Sequence, residues 1–220
     1  MPVEIQDNIR EAEIINLFKL KKTNHNRIGI DAKIKYKNHI FDFEIKSTTM
    51  NAISTASPLT LDHIKKWRHQ HWLVGVYCKN AKLKHCLYGS PEDMQKWLDY
   101  WEEDIKRGLF ISDMLVERID YDMLFEIFGK KVVYTIDDAK YVFKKLFTKS
   151  QYNDMMDKQD GFSKKQLLKM FKEHNKTYLY RGANVNNPKI PLTYVKNWKI
   201  INCDYNKTLK NILNERITNA

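Results

Sequence analysis

The stretch Arg27–Ser47, RIGIDAKIKYKNHIFDFEIKS, is the most informative part of this chain. Apolar and polar residues alternate along it, which predicts two neighbouring strands. A tight turn at Asn38 joins them, because Asn tolerates a positive φ. Successive side chains of a strand point to opposite faces, so Glu44 and Lys46 share one face of the second strand while Ile45 lies on the other.

The segments around this hairpin predict an α/β core with a mixed central β-sheet flanked by helices. The continuous apolar run HWLVGVYC is typical of a strand that is covered on both faces. A serine, a proline and two acids then give a strong helix start at Ser90, and Gly108 is expected to end that helix. The expected elements are a helix over Val3–Lys22, strands over Ile28–Lys37 and Ile40–Lys46, a basic helix opened by Thr60, strands over His71–Cys78 and Leu83–Tyr88, and a helix over Ser90–Arg107.

Charge is distributed unevenly along the 220 residues, whose formal net charge is +11. Residues 1–130 hold 20 basic and 19 acidic side chains, and residues 131–220 hold 18 and 8. A basic half indicates a polyanionic partner, most commonly nucleic acid, although a lysine-rich solubilising surface would look the same. We therefore expect a core over 1–130 and a mainly helical, basic recognition region over 131–220, unless the chain forms one compact domain.

The three cysteines are irregularly spaced, which predicts reduced thiols and a cytoplasmic location. The N-terminus is polar and acidic, unlike a signal peptide. Apolar runs stay well short of the roughly 20 residues that span a bilayer, so we expect no membrane association.

The hairpin carries residues suited to phosphodiester hydrolysis. That reaction needs neutralisation of charge on the phosphate, a more nucleophilic water and a stabilised leaving oxygen, and a divalent cation held by carboxylates can supply all three. Asp31 and Glu44 are candidate ligands, with the backbone carbonyl of Ile45 as another oxygen ligand, and Lys46 could orient or deprotonate the water or stabilise the transition state. An ordinary half-exposed hairpin would show the same alternation.

This arrangement resembles the PD-(D/E)XK nuclease superfamily, in which an aspartate near the start of one strand is followed by an acid-x-Lys triplet on the next. The matching residues are Asp31, Glu44 and Lys46, while Ile30 stands where the family often has proline. Members often present a glutamate from the first helix as a further metal ligand. The resemblance makes Glu13, or alternatively Glu11, the candidate for that role.

The choice between Asp31 and Asp42 as metal ligand remains open, and a further set of residues is expected to contact DNA. Asp42 shares the face of Glu44 and is the second choice for the role of Asp31. Basic side chains on helices would contact the phosphate backbone, although an ordinary solvated helix face would carry the same residues. Arginine and asparagine in a polar loop would contact base edges, although asparagine is also an ordinary turn residue. The candidate DNA-binding residues are Lys65, Lys66, Arg68, Lys164, Lys165, Arg181, Asn184 and Asn186.

The resemblance implies a restriction-endonuclease-like core and a type II, sequence-specific endonuclease. Such an enzyme would hydrolyse phosphodiester bonds of double-stranded DNA with one or two Mg²⁺ ions per site. It would act as a homodimer, since two-fold symmetry places one site on each strand. The alternatives are a structure-specific or repair nuclease, such as a junction resolvase, and a non-catalytic nucleic-acid-binding protein.

Overall fold

The computed structural model describes residues 4–23, 29–143 and 147–219. The chain divides into two compact units, residues 1–103 with 185–220, and residues 104–184. The charge-based boundary at residue 130 does not coincide with this division. Of the +10 excess over residues 131–220, residues 131–184 contribute +6 to one unit and residues 185–220 contribute +4 to the other.

A mixed sheet forms the centre of the first unit, as the sequence predicted. Within the described residues it has six strands, in the spatial order β1 (Lys21–Lys22), β2 (Ala32–Tyr36), β3 (His39–Thr48), β5 (His71–Tyr77), β6 (Leu83–Gly89) and β8 (Lys199–Ile201). The β3–β5 pair is parallel and the other pairs are antiparallel. A separate two-stranded sheet pairs β4 (Ala52–Ile53) with β7 (Ile190–Pro191).

The predicted hairpin is present with its predicted turn. Lys37 and Asn38 adopt φ values of 46° and 63°, and Tyr36 pairs with His39 across them. Two consecutive residues with positive φ match the twist of the flanking strands. The first strand begins at Ala32, later than predicted, and Ile28 lies outside the described residues.

Helices cover both faces of this sheet. On one face, α1 (Glu4–Phe18) and α8 (Tyr205–Asn219) form a core with Phe43, Ile45 and Leu73. On the other face, α2 (Leu61–Trp67) makes the crossover that a parallel β3–β5 pair requires. There the rings of Trp67 and Trp72 meet edge to face at 5.1 Å between centroids.

The first helix is shorter than predicted. It ends at Phe18, and Lys21 and Lys22 form β1 instead of the basic last turn of a helix. Lys19 adopts a φ of 53°, and the amide of Leu20 donates to the carbonyl of Ile15 at 2.9 Å. This αL ending redirects the chain into the sheet, where Lys21 pairs with Lys33 and Lys22 with Ala32 at the edge.

The helix opened by Ser90 is longer than predicted, because α3 spans Pro91–Glu117 and passes through Gly108. A Cβ built at Gly108 would lie 3.0 Å from the Cβ of Ala183 in α7 (Lys164–Ala183). Gly108 therefore serves close packing of two helices and does not end one.

The second unit is helical. It contains the end of α3 with α4 (Tyr121–Phe128), α5 (Ile136–Phe143), α6 (Lys149–Met155) and α7. Capping side chains open α5 and α7, where the hydroxyl groups of Thr135 and Ser163 each accept a hydrogen bond from the amide three residues on. The core of this unit includes Phe128, Phe162 and Phe171.

Two glycines give a matched test of this packing. A Cβ at Gly89 would lie 2.5 Å from the buried ring of Trp198, whereas nothing lies within 4 Å of one at Gly182 in α7. We expect Gly89→Ala to lower the free energy of unfolding by about 1–3 kcal/mol through overpacking. Gly182→Ala should raise it by up to about 1 kcal/mol, because alanine favours the helix.

Urea unfolding followed by circular dichroism measures both effects. Each change should appear in the transition of its own unit if the two units unfold separately. A Gly89→Ala variant as stable as the wild type would contradict the described contact with Trp198.

Candidate active site

The hairpin register brings the two candidate acids together. Ala32 pairs with Phe43, so Asp31, one residue before β2, lies opposite Glu44. Residues directly opposite on neighbouring strands point to the same face. An Asp31 carboxylate oxygen also accepts a hydrogen bond from the amide of Ile45 at 2.8 Å. Asp31, Glu44 and Lys46 line one cavity of about 500 Å³.

Glu44 is the most deeply buried member of this group, at 2% exposure. Its carboxylate pairs with the ammonium group of Lys46 at 2.6 Å and with that of Lys66 at 2.8 Å. Lys66 also donates to the carbonyl of Gly29 at 2.9 Å. Lys66 was predicted to contact DNA. In the structure it also forms an ion pair with Glu44, the acid of the acid-x-Lys triplet.

The two carboxyl groups have opposite pKa shifts. Burial, followed by the negative charge of Glu44, raises the pKa of Asp31 to about 6. Burial would also raise the pKa of Glu44, but the charges of Lys46 and Lys66 hold that pKa below its ordinary value. The pair thus combines an ionised carboxylate with a neighbour that takes up a proton more readily.

Lys46 remains an ammonium group in this arrangement. Burial would lower the pKa of its side chain, but the charges of Glu44 and Asp31 raise that pKa above the ordinary lysine value. Of the roles predicted for Lys46, this favours charge stabilisation over deprotonation of a water.

The opposite wall of the cavity comes from α2 and the loop before it. The lining residues there are Thr55, Ala56, Ser57, Pro58, Thr60, Asp62, His63, Lys66 and Trp67. His63 Nδ1 lies 2.9 Å from the hydroxyl oxygen of Thr60, and burial together with the charge of Lys66 lowers the His63 pKa. His63 and Lys66 are three residues apart on α2, a spacing that places them on one side of the helix. The sequence analysis did not name His63 as a site residue, although its spacing from Lys66 could have indicated it.

A distant segment fixes this loop. The Leu59 amide donates to the Val185 carbonyl at 2.7 Å, and the hydroxyl groups of Thr55 and Ser57 donate to Pro188 and Asn186. Asn186, which was predicted to contact base edges, therefore accepts a hydrogen bond from Ser57, a residue that lines the cavity.

The first helix offers Glu11 rather than Glu13 to the neighbourhood of Lys46. Glu11 lines a second cavity, of about 200 Å³, together with Ile45 and Lys46, and it pairs with Lys22 at 3.1 Å. Glu13 accepts a hydrogen bond from the Tyr77 hydroxyl at 2.8 Å. Asp42, the alternative to Asp31, lies opposite Lys33 on β2.

The remaining predicted DNA-binding residues are divided between the two units. In the first unit, Lys65 is exposed on α2, whereas the Arg68 guanidinium binds Asp99 and Glu102. In the second unit, the Lys164 ammonium lies 5.3 Å from the centroid of the Tyr121 ring. Lys165 and Arg181 are exposed there, and Asn184 follows the last residue of α7.

Among the described residues, no group of three or more His, Cys, Asp or Glu side chains could hold a metal ion. A cation at Asp31 and Glu44 would therefore depend on two carboxylates, a backbone carbonyl and water. Mg²⁺ fits such a site, since it takes few protein carboxylates and keeps several waters. The Ile45 amide points to Asp31, and the carbonyl of the same residue leaves the strand on the same side.

No protein-family model matches the chain, and no curated protein matches it either. In residues 4–23, 29–143 and 147–219, no helix has both the length and the apolar character needed to cross a bilayer.

The raised pKa of Asp31 predicts a pH-dependent effect of Asp31→Asn. A carboxyl with a pKa of about 6 when folded and 3.8 ordinarily binds protons more readily in the folded state, so its ionisation lowers stability as pH rises through this range. Asparagine keeps an acceptor for the Ile45 amide without the charge. We expect Asp31→Asn to be more stable than the wild type at pH 7.5 without divalent cations, and this advantage should shrink as pH falls towards 4.

Urea unfolding at a series of pH values, in buffer with a chelator, provides the measurement. A stability difference that stays constant from pH 4.5 to pH 7.5 would contradict the described burial and coupling of Asp31.

Proposed function

We propose that this protein is a Mg²⁺-dependent, sequence-specific endonuclease of the type II restriction class that hydrolyses phosphodiester bonds in double-stranded DNA. The observation that carries the proposal is the pair of carboxyl groups of half-buried Asp31 and buried Glu44, beside the Lys46 ammonium group in one cavity. Two neighbouring carboxylates that are shielded from water repel each other and destabilise the folded state. A divalent cation bound between them would offset this repulsion.

Each residue has a chemical role in this proposal. The carboxylates of Asp31 and Glu44, with the Ile45 carbonyl, would hold Mg²⁺. A bound Mg²⁺ supplies charge neutralisation at the phosphate and a more acidic water. Lys46 places a positive charge where negative charge grows in the transition state. Lys66 positions Glu44 and, through Gly29, the segment that leads to Asp31.

The choice of DNA as substrate rests on charge and on the loop beside the cavity. The net charge of +11 favours a polyanion and would supply affinity independent of sequence. Asn186, bonded to Ser57 at the cavity, has a side chain that can pair with adenine edges. A homodimer would place one such cavity on each strand of a palindromic site.

Cleavage of plasmid DNA in the presence of Mg²⁺ tests the proposal. We expect discrete fragments from the wild type and a rate about 10²–10³-fold lower for Lys46→Ala, since a preorganised charge is lost. Asp31→Asn should lose cleavage and also the thermal stabilisation by Mg²⁺ that we expect for the wild type. Asp42→Asn is the matched control and should retain the wild-type rate, because Asp42 lies on β3 with Glu44 and Lys46 but opposite Lys33.

Other outcomes would identify the alternative functions. Cleavage confined to branched DNA would favour a structure-specific nuclease. Retained DNA binding without cleavage of linear, supercoiled or branched substrates would contradict both nuclease functions.

Lys66 gives a second prediction at the same site. Removing its ammonium group from Glu44 makes the potential at the two carboxylates more negative, so Lys66→Met should bind Mg²⁺ more tightly, on the order of tenfold. The maximal cleavage rate should nevertheless fall, because Glu44 and Gly29 lose the side chain that joins them. Lys65→Met, one residue away and exposed, is the control for the metal site and should leave Mg²⁺ binding unchanged.

Titration calorimetry with Mg²⁺, in the absence of DNA, measures the binding. Mg²⁺ binding by Lys66→Met that is equal to or weaker than that of the wild type would contradict the described pairing.

A further inference from the structure

The His63 ring is held in place at the start of α2. The Thr60 amide donates to His63 Nδ1 at 3.4 Å, and the Thr60 hydroxyl oxygen lies 2.9 Å from the same nitrogen. The ring also packs against the buried ring of Trp67, at 5.7 Å between centroids. These contacts orient an imidazole that lines the cavity together with Asp31 and Glu44.

The same hydrogen bonds determine which nitrogen of His63 carries the proton. A backbone amide can only donate, so Nδ1 must accept from Thr60 and a neutral ring then carries its proton on Nε2. Burial, followed by the charge of Lys66, lowers the His63 pKa, so the ring is neutral at pH 7.5. Within the residues that the structure describes, both hydrogen bonds of this ring are made by Nδ1. His63 therefore offers an Nε2–H donor.

This tautomer limits the chemistry open to His63. A general base needs a free acceptor nitrogen, but Nδ1 already accepts from the Thr60 amide. A general acid would need the imidazolium form, whereas burial and Lys66 favour the neutral ring. Donation of a hydrogen bond to an acceptor in the cavity is the role that remains.

An oxygen of the scissile phosphate suits this donor. In the proposed function that phosphate occupies the cavity beside Asp31 and Glu44. Lys46 belongs to β3 and His63 to α2, so two different elements would supply donors to it. A hydrogen bond to a phosphate oxygen strengthens as negative charge grows there in the transition state, and a donor that is already oriented needs no rearrangement.

We propose that His63 donates a hydrogen bond from Nε2 to an oxygen of the scissile phosphate and thereby stabilises the transition state. The proton stays on Nε2 throughout, so the imidazole makes and breaks no covalent bond. The inference rests on the proposed function, to which it adds a side chain that contacts the substrate.

Two substitutions separate this role from helix capping. Glutamine is an ordinary residue at this position of a capping box, so His63→Gln should keep the stability of the wild type in urea unfolding, whereas His63→Leu should lower it. Both variants lack the imidazole donor, and we expect each to cleave plasmid DNA about 10²-fold more slowly at saturating Mg²⁺. His39→Gln, at an exposed residue beside the hairpin turn, is the matched control and should keep the wild-type rate.

Two-bond ¹H–¹⁵N NMR spectra of the full chain without ligand test the tautomer independently of cleavage. At pH 7.5 we expect a neutral His63 ring with its proton on Nε2, and the spectrum of His63→Gln identifies the signals of this ring.

The outcomes distinguish this inference from the proposed function. An imidazolium ring, a proton on Nδ1, or a wild-type cleavage rate for His63→Gln would each overturn the role of His63 and leave the nuclease function standing. A wild type that cleaves no DNA substrate would contradict the nuclease function, and the role of His63 with it.

Discussion

The buried carboxylate of Glu44 constrains the architecture around the cavity. An unpaired charge that is 2% exposed would cost several kcal/mol, and two ammonium groups compensate it from different elements. Lys46 comes from the same strand, and Lys66 comes from the crossover helix. Because Lys66 also binds the Gly29 carbonyl, one side chain joins α2, β3 and the segment before β2.

The same charges explain why the two carboxyl groups differ. Glu44 has two ammonium groups within ion-pair distance, whereas Asp31 faces the charge of Glu44 and accepts one backbone hydrogen bond. Burial raises the pKa of Asp31 most strongly, and the charge of Glu44 adds to the shift. Neighbouring carboxyl groups with separated pKa values are common at sites that bind cations or transfer protons. In the function we propose, a divalent cation would replace the proton that Asp31 otherwise attracts.

Local patterns in the sequence predicted much of the fold. Period-two alternation and the turn at Asn38 predicted the hairpin, and that register alone brings Asp31 opposite Glu44. Local signals failed where a distant segment decides the outcome. Glycine often follows the end of a helix, so Gly108 was expected to end α3. Instead it lies inside α3, where it packs closely against Ala183. No local pattern indicates that Val185 binds Leu59 or that Pro188 binds Thr55, since these partners are more than a hundred residues apart.

In the candidate site, too, the sequence could not distinguish between similar side chains whose positions depend on the tertiary structure. Lys65 and Lys66 look equivalent in the sequence, and only the path of the β3–α2–β5 crossover turns Lys66 towards Glu44. Glu11 and Glu13 are likewise two residues apart on α1, about 200° around the helix axis. The choice between them depends on how α1 packs on the sheet, which places Glu11 beside Lys46 and Glu13 beside Tyr77.

The function we propose depends on a divalent-cation site formed by Asp31 and Glu44. Crystals of the protein grown with Mn²⁺ and measured at the manganese absorption edge test it most directly, because anomalous scattering locates the ion without reference to activity. We expect an anomalous peak within coordination distance of both carboxylates and of the Ile45 carbonyl, and no such peak in crystals of Asp31→Asn. Wild-type crystals without that peak, in which Lys46 and Lys66 alone compensate the charge of Glu44, would contradict the proposed cation site.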